Sequence, residues 1–248
     1  MNRILLEPDD IAPDGKAVLA GVCAEHVRTV LKGTVGQPLK TGVIGGDIGQ
    51  SVIESISEDS IAIRCAHDRP SLEPWCDLIL APPRPRVMKR LLPQLATLGV
   101  RRIFLVGAEK VEKAFWGAQL LKPEIYRPLL VDGLMQGAVS TILPTIHQVK
   151  NMRRWLESAD FEQDFQLQST RIVAHPYYLE GTVPTKLSGT VPTKLQGTVP
   201  VFAIGPEAGW TDAEVAMLEE HGFRRYGLGK RILKTETATI ALLSRFMQ

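Results

Sequence analysis

The last quarter of the chain, residues 201–246, constrains the fold more than any other stretch: VFAIGPEAGWTDAEVAMLEEHGFRRYGLGKRILKTETATIALLSRF. A short apolar run at 201–204 meets a turn built on Gly205, Pro206, Ala208 and Gly209. Thr211, with Glu214 three residues later, is a capping box, so a helix starts there. Gly222 suits the left-handed residue just past its end. A second short strand ends at Leu228, Gly229 opens another loop, and a last apolar helix begins near Thr235. Parallel sheets bind ligands at the carboxyl ends of their strands. Two strand-end loops of small residues, brought side by side, make a pocket lined by main chain, because glycine lets the backbone approach a ligand closely. Ordinary turns of an α/β domain are the plainer alternative.

The same alternation begins at residue 77. Residues 77–81 (DLILA) form a continuous apolar run, the mark of a buried parallel strand. The basic loop APPRPR follows, then Val87, Met88, Leu91, Leu92, Leu95 and Leu98 at helical spacing, closed by Gly99. Pro93 inside that pattern predicts a kink or a short first segment. Strands are expected at 103–106, 145–149 and 171–174, and a helix over 124–142 ended by Pro144. Met152, Trp155 and Leu156 form a short helical stripe that packs on the sheet. Residues 181–200 read GTVPTKLSGTVPTKLQGTVP, an eight-residue unit in two copies and part of a third. So few short copies build no core, and the segment reads as an expansion inside a surface loop.

Residues 1–70 have a different character. Apolar pieces at 4–6, 17–22, 27–31, 43–44, 52–56 and 61–63 are separated by glycines and acids, a pattern of short strands in a small barrel. Residues 57–60 (SEDS) make a hairpin turn. GGDIG at 45–49 is read as a barrel turn and not a phosphate loop, since no helix pattern and no suitably placed lysine follow it. A hinge is expected at 67–74, around Pro70 and Pro74.

Length allows one large or two modest domains. A hydrophobic fraction of 44% and a charged fraction of 23% are those of a soluble globular protein. The net charge of +2 does not by itself identify a nucleic-acid binder. Cys23, Cys65 and Cys76 have no metal-ligand spacing and suit a reducing compartment. No signal peptide pattern and no apolar run of ~20 residues is present. The expectation is a cytoplasmic protein with no metal and no membrane attachment.

GPEAGWTDAEV followed by LGKRILKTETA resembles the paired C-terminal signature of the 16S ribosomal RNA uracil-N3 methyltransferases of the SPOUT class. The resemblance extends to His26, Val30, Leu31 and Gly36 near the start, to Pro83–Arg86 and Leu98–Val100, and to Glu109, Val111, Glu112, Lys113 and Trp116. It implies a trefoil-knotted parallel α/β sheet with helices on both faces (75–248, carrying the repeat insertion) and a preceding small PUA-like β-barrel (1–70) that binds RNA. It also implies S-adenosylmethionine as cofactor, 16S rRNA or the small ribosomal subunit as partner, and a homodimer. Matching positions place the cofactor among Ile204, Gly205, Pro206, Gly209, Leu228, Gly229, Ile232, Leu233 and Thr235, with His175 after the preceding strand. A lone histidine there is more often structural.

In this resemblance Arg231 and Lys234 are the candidate cations at the chemistry, Arg231 as a catalytic residue, and Glu207 and Glu236 are the candidate carboxylates, one to act as base or to orient the ligand's amine. For Glu236, complementing the dipole of the last helix is the competing role. Arg3, Arg28, Lys32, Arg84, Arg86 and Lys234 are candidate phosphate contacts, against the alternative of solvated surface charge. Ala208 stands where the family has glycine, Lys234 where it has arginine, Thr97 where it has glutamate, and Met135 where an acid is usual. A methyl group at 208 narrows the pocket or excludes a needed backbone angle. Two alternatives remain: an RNA-binding protein that keeps the fold without catalysis, and a SPOUT 2′-O-methyltransferase.

Overall fold

The computed structural model describes residues 1–165, 169–176 and 199–247. The chain divides into two compact units, Met1–Pro74 with Leu130–Leu143, and Trp75–Leu129 with Pro144–Gln248. Apart from Val199 and Pro200, the repeat at 181–200 lies outside the described residues.

The first unit contains β1 (Ile4–Leu6), β2 (Lys16–Ala20), α1 (Gly21–Thr29), β3 (Pro38–Val43), β4 (Ile48–Ile56) and β5 (Ser60–Arg69). The strands form one five-stranded sheet in the order β1-β3-β4-β5-β2, parallel only at β1–β3. This is the half-barrel that precedes the larger sheet. Alternation sets its faces: in β2, Ala17 and Leu19 are buried while Lys16 and Val18 are exposed. The turn at 57–60 forms as expected, with Ser57 N donating to Ser60 O at 2.9 Å. Of residues 45–49, 45–47 turn between β3 and β4 while Ile48 and Gly49 begin β4, and no helix follows.

Three expectations need correction here. Residues 27–31 are not a strand, because residues 21–29 form α1, with Ala24 and Val27 buried three apart on one face. The hinge shortens, because β5 continues to Arg69 and His67 Nε2 lies 2.9 Å from Thr41 Oγ1. The third concerns Arg3, which is not available to a phosphate. Its side chain is buried, with Nη1 donating to Thr41 O (2.6 Å) and Gly49 O (3.0 Å) and Nε to Ala138 O (2.8 Å). A guanidinium taken out of water is held by charge-assisted bonds to several carbonyls. Segment 130–143 is thereby part of the first unit, which a division near residue 70 does not anticipate.

The second unit contains β6 (Cys76–Leu80), α2 (Pro85–Thr97), β7 (Val100–Val106), α3 (Pro123–Gly137), β8 (Thr145–Val149), α4 (Met152–Leu156), α5 (Ala159–Asp164), β9 (Arg171–Ala174), β10 (Val201–Ile204), α6 (Asp212–Glu220), β11 (Arg224–Tyr226) and α7 (Thr235–Phe246); α3 runs across the boundary into the first. All six strands are parallel, in the order β11-β9-β10-β6-β7-β8. The central pair, β6 and β10, is buried throughout, as their apolar runs require, with Asp77 of β6 the one charged residue in them. Ile79 and Ala203 pack with Leu156, Phe161, Val215 and Leu218 from α4, α5 and α6. On the opposite side Phe202 packs against Phe246 of α7. Helices therefore cover both faces.

Pro93 neither ends nor splits α2, which runs unbroken over Pro85–Thr97. Lys89, whose carbonyl loses its usual partner, is exposed, so water can take its place. Helix α3 ends at Gly137 and not at 142, and Ala138 takes a left-handed φ of 64°. Pro144 is thus not what stops it.

Candidate active site

The sheet order sets β11, β9 and β10 side by side, so Ala174, Tyr226 and Ile204 end at one edge. The loops that follow these strands, with the first turn of α7, enclose a cavity of about 380 Å³. That is within the range of small-molecule sites. All ten residues expected at the cofactor, His175, Ile204, Gly205, Pro206, Gly209, Leu228, Gly229, Ile232, Leu233 and Thr235, line it. Glu207 and Arg231 line it as well, whereas Glu236 and Lys234 do not.

The loop after β10 is braced from below. The Thr211–Glu214 capping box forms, with Thr211 N donating to Glu214 Oε2 at 2.8 Å. The same buried carboxylate accepts from Glu109 N at 2.7 Å through Oε1, tying the loop after β7 to the start of α6. Lys110 Nζ donates to Ala208 O at 3.2 Å. Gly205 lies against the Trp210 indole, where a β-carbon would come within 3.0 Å. Trp210 is buried, and its Nε1 makes no hydrogen bond among the described residues.

The backbone settles one of the two questions raised by Ala208, the angle, while the residue itself lines the cavity. Positive φ belongs to its neighbour Gly209 (73°) and to Gly229 (103°), and Ala208 keeps a conformation open to any L-residue. At both glycines the space a β-carbon would take is empty, leaving main chain exposed to a ligand. Across the cavity His175 N donates to Tyr226 O at 3.2 Å, joining β9 to β11.

Charge at the cavity is sparse. Arg231 is exposed and makes no ion pair among the described residues. Glu207 Oε2 lies 3.7 Å from Arg84 Nε. Glu236 sits in the first turn of α7, 3.9 Å from Arg90, which favours the helix-dipole role. Arg28 is partly exposed and donates to Ser57 O, Lys32 is exposed at φ 50°, and Arg84, Arg86 and Lys234 are exposed.

Burial, and secondarily Arg225, lowers the pKa of His175 below the ordinary histidine value. The folded chain then keeps this imidazole neutral where the unfolded chain begins to bind a proton. Stability is retained above the unfolded pKa of about 6.5 and falls as pH drops below it. His67, lowered by burial and Arg3, acts in the same direction. His175→Gln is therefore expected to flatten the pH dependence of the urea midpoint between neutral and mildly acidic pH. An unchanged slope would show that His175 does not contribute.

Trp210, Tyr226, Ala174 and Ala238 also line the cavity and were not among the expected residues. Trp210 stood inside the GPEAGW motif, so its position carried a signal. Tyr226 needed the β11 register, which no local pattern supplies.

No group of three or more His, Cys, Asp or Glu side chains is placed to hold a metal among the described residues. No helix among them is long and apolar enough to cross a membrane. Residues 71–247 match a family model described as an RNA methyltransferase domain. The chain is 31% identical to ribosomal RNA small subunit methyltransferase E of Treponema pallidum, over 97% of this chain and 88% of that one. It is 30% identical to ribosomal RNA small subunit methyltransferase E 1 of Borreliella burgdorferi, over 64% of this chain and 60% of the relative. Its fold is shared with a ribosomal RNA small subunit methyltransferase E of Neisseria gonorrhoeae solved bound to S-adenosylmethionine, at TM-score 0.72 and 22% identity, covering 99% of this chain and 96% of that one.

Proposed function

This chain belongs to the RNA methyltransferase family, and on that premise we propose that it transfers a methyl group from S-adenosylmethionine to N3 of a uridine in 16S ribosomal RNA. One observation carries the reading. Both halves of the C-terminal motif pair, 30 residues of chain apart at Gly205 and Thr235, close on a single cavity at the carboxyl edge of the sheet. Its exposed main chain at Gly209 and Gly229 suits the polar edge of an adenine, and Ile204, Leu228 and Leu233 suit its faces.

S-adenosylmethionine supplies an electrophilic methyl group carried on a sulfonium. The protein's part is to hold donor and acceptor in line, which costs entropy in advance of reaction. Glu207, the one carboxylate among the described lining residues, would hold the cationic end of the ligand. Arg231 stands at the mouth, where it would stabilise negative charge on the uracil oxygens as the N3 proton passes to solvent water. In this reading residues 1–70 contact RNA through the partly exposed Arg28 and the exposed Lys32, and the protein works as a homodimer.

Calorimetry with S-adenosylmethionine should show saturable binding. Small ribosomal subunits lacking the modification, incubated with protein and cofactor, should then yield 3-methyluridine on digestion and mass spectrometry. A methyl group found on a 2′ oxygen would move the protein to another SPOUT branch. Absence of cofactor binding would leave an RNA-binding protein without catalysis.

A further inference from the structure

We propose that Arg84 is a positioning residue for Glu207, holding that carboxylate at the cavity rim until an RNA phosphate displaces it; this rests on the cavity being the S-adenosylmethionine site. Arg84 precedes α2 directly and lies between two carboxylates, with Nε 3.7 Å from Glu207 Oε2 and 3.6 Å from Glu112 Oε1. The three residues come from the loops after β6, β10 and β7, strands that are neighbours in the sheet. Their side chains are 69%, 41% and 70% exposed, respectively. Exposed pairs of this length contribute little and exchange readily. A phosphate offers the same guanidinium a charged acceptor of matching geometry. Arg86 and Lys89 are exposed nearby on α2, so RNA arriving on this helix meets further cations.

When a phosphate takes Arg84, Glu207 is left with its full charge beside a cavity whose ligand carries a sulfonium. RNA docking then tightens cofactor binding, and by linkage the cofactor tightens RNA binding by the same factor. Glu112 gives Arg84 a second resting partner at the rim. The arrangement makes Arg84 a brake on cofactor binding in the absence of RNA.

The test is equilibrium binding of radiolabelled S-adenosylmethionine to the full chain, with and without small ribosomal subunits. Arg84→Ala should raise cofactor affinity without RNA by about three- to fivefold, the scale of an exposed pair. Subunits should tighten binding in the wild type and add nothing to the variant. In a Glu207→Gln background Arg84→Ala should have no effect, which a double-mutant cycle reads directly. Arg90→Ala removes an equal charge from α2, which Arg84 directly precedes, but its partner Glu236 lies outside the cavity, so affinity should stay as in the wild type. The proposal is overturned if Arg84→Ala leaves cofactor affinity unchanged or weakens it, if the cycle is additive, or if Arg90→Ala matches Arg84→Ala. A wild-type protein that binds no S-adenosylmethionine sinks the cofactor reading and this one with it. An additive cycle in a protein that does bind it sinks this one alone.

Discussion

Arg231→Ala is expected to lower kcat/KM for methyl transfer about a hundred- to a thousandfold, with affinity for S-adenosylmethionine no weaker than in the wild type. The size is that of losing one preorganised donor at a site of developing charge. Arg231 lines the cavity, is exposed at its mouth and is not neutralised by any carboxylate among the described residues. A cation so placed is repelled by the sulfonium, and in the proposed reading its partner is the acceptor. Uridine N3 becomes nucleophilic by losing its proton, and the resulting charge spreads onto the flanking oxygens. The loss should therefore appear in the chemical step and in how it varies with pH. The variant should need higher pH to reach half its maximal rate, because the anion has lost its stabilising partner. Lysine at 231 should recover part of the rate, keeping the charge but not the planar fork. A full loss of cofactor binding in Arg231→Ala, with no defect left once cofactor saturates, would move Arg231 out of this role.

The motif pair made the site legible because its information is local. A glycine that must turn, a capping box and an apolar run each leave a mark in a few residues, and the parallel-sheet rule says where they meet. The bounds of β10 and the Thr211–Glu214 cap follow from such marks. What the residues alone did not disclose depends on distant partners. Arg3 looks like any N-terminal cation, and only the carbonyls of Thr41, Gly49 and Ala138 make it a core residue. Met135, read as a lost acidic position, is buried, and its carbonyl accepts from Asn2 N (2.9 Å) and Arg3 N (3.0 Å). Residues 27–31 misled for another reason. A short apolar run fits a strand or a helix face equally well, and the polar residues before and within it, at 25, 26 and 28, had to break the tie. Glu214 was legible as a cap but not as the acceptor of Glu109 N, a bond spanning 105 residues of sequence.

Asp77→Ala should cost the second unit about 3 kcal/mol, at the lower end for breaking a buried ion pair, and lower its melting temperature by roughly 10 °C. Asp77 is 1% exposed near the start of β6 and carries two guanidiniums: Arg101 bonds it through Nε (3.0 Å) and Nη2 (2.6 Å), and Arg102 through Nη2 (2.8 Å). Its carboxylate raises the pKa of Arg101, chiefly by hydrogen bonding. Alanine leaves Arg102 inside the fold with Asp164 as its remaining carboxylate, between the rings of Phe104 and Phe165 at 5.1 Å each. Asparagine is a poor repair, since its NH2 group faces donors. Arg101→Ala makes the contrast. Its side chain is 40% exposed, so losing it should cost no more than about 1 kcal/mol. Thermal and urea unfolding of the two variants should therefore separate clearly. If they fall together with equal losses, the penalty lies in the shared bond and not in a charge stranded by its removal. The unequal result would place the weight on Arg102, which holds the amino end of β6 beside β10, one of the three strands whose carboxyl ends form the cavity.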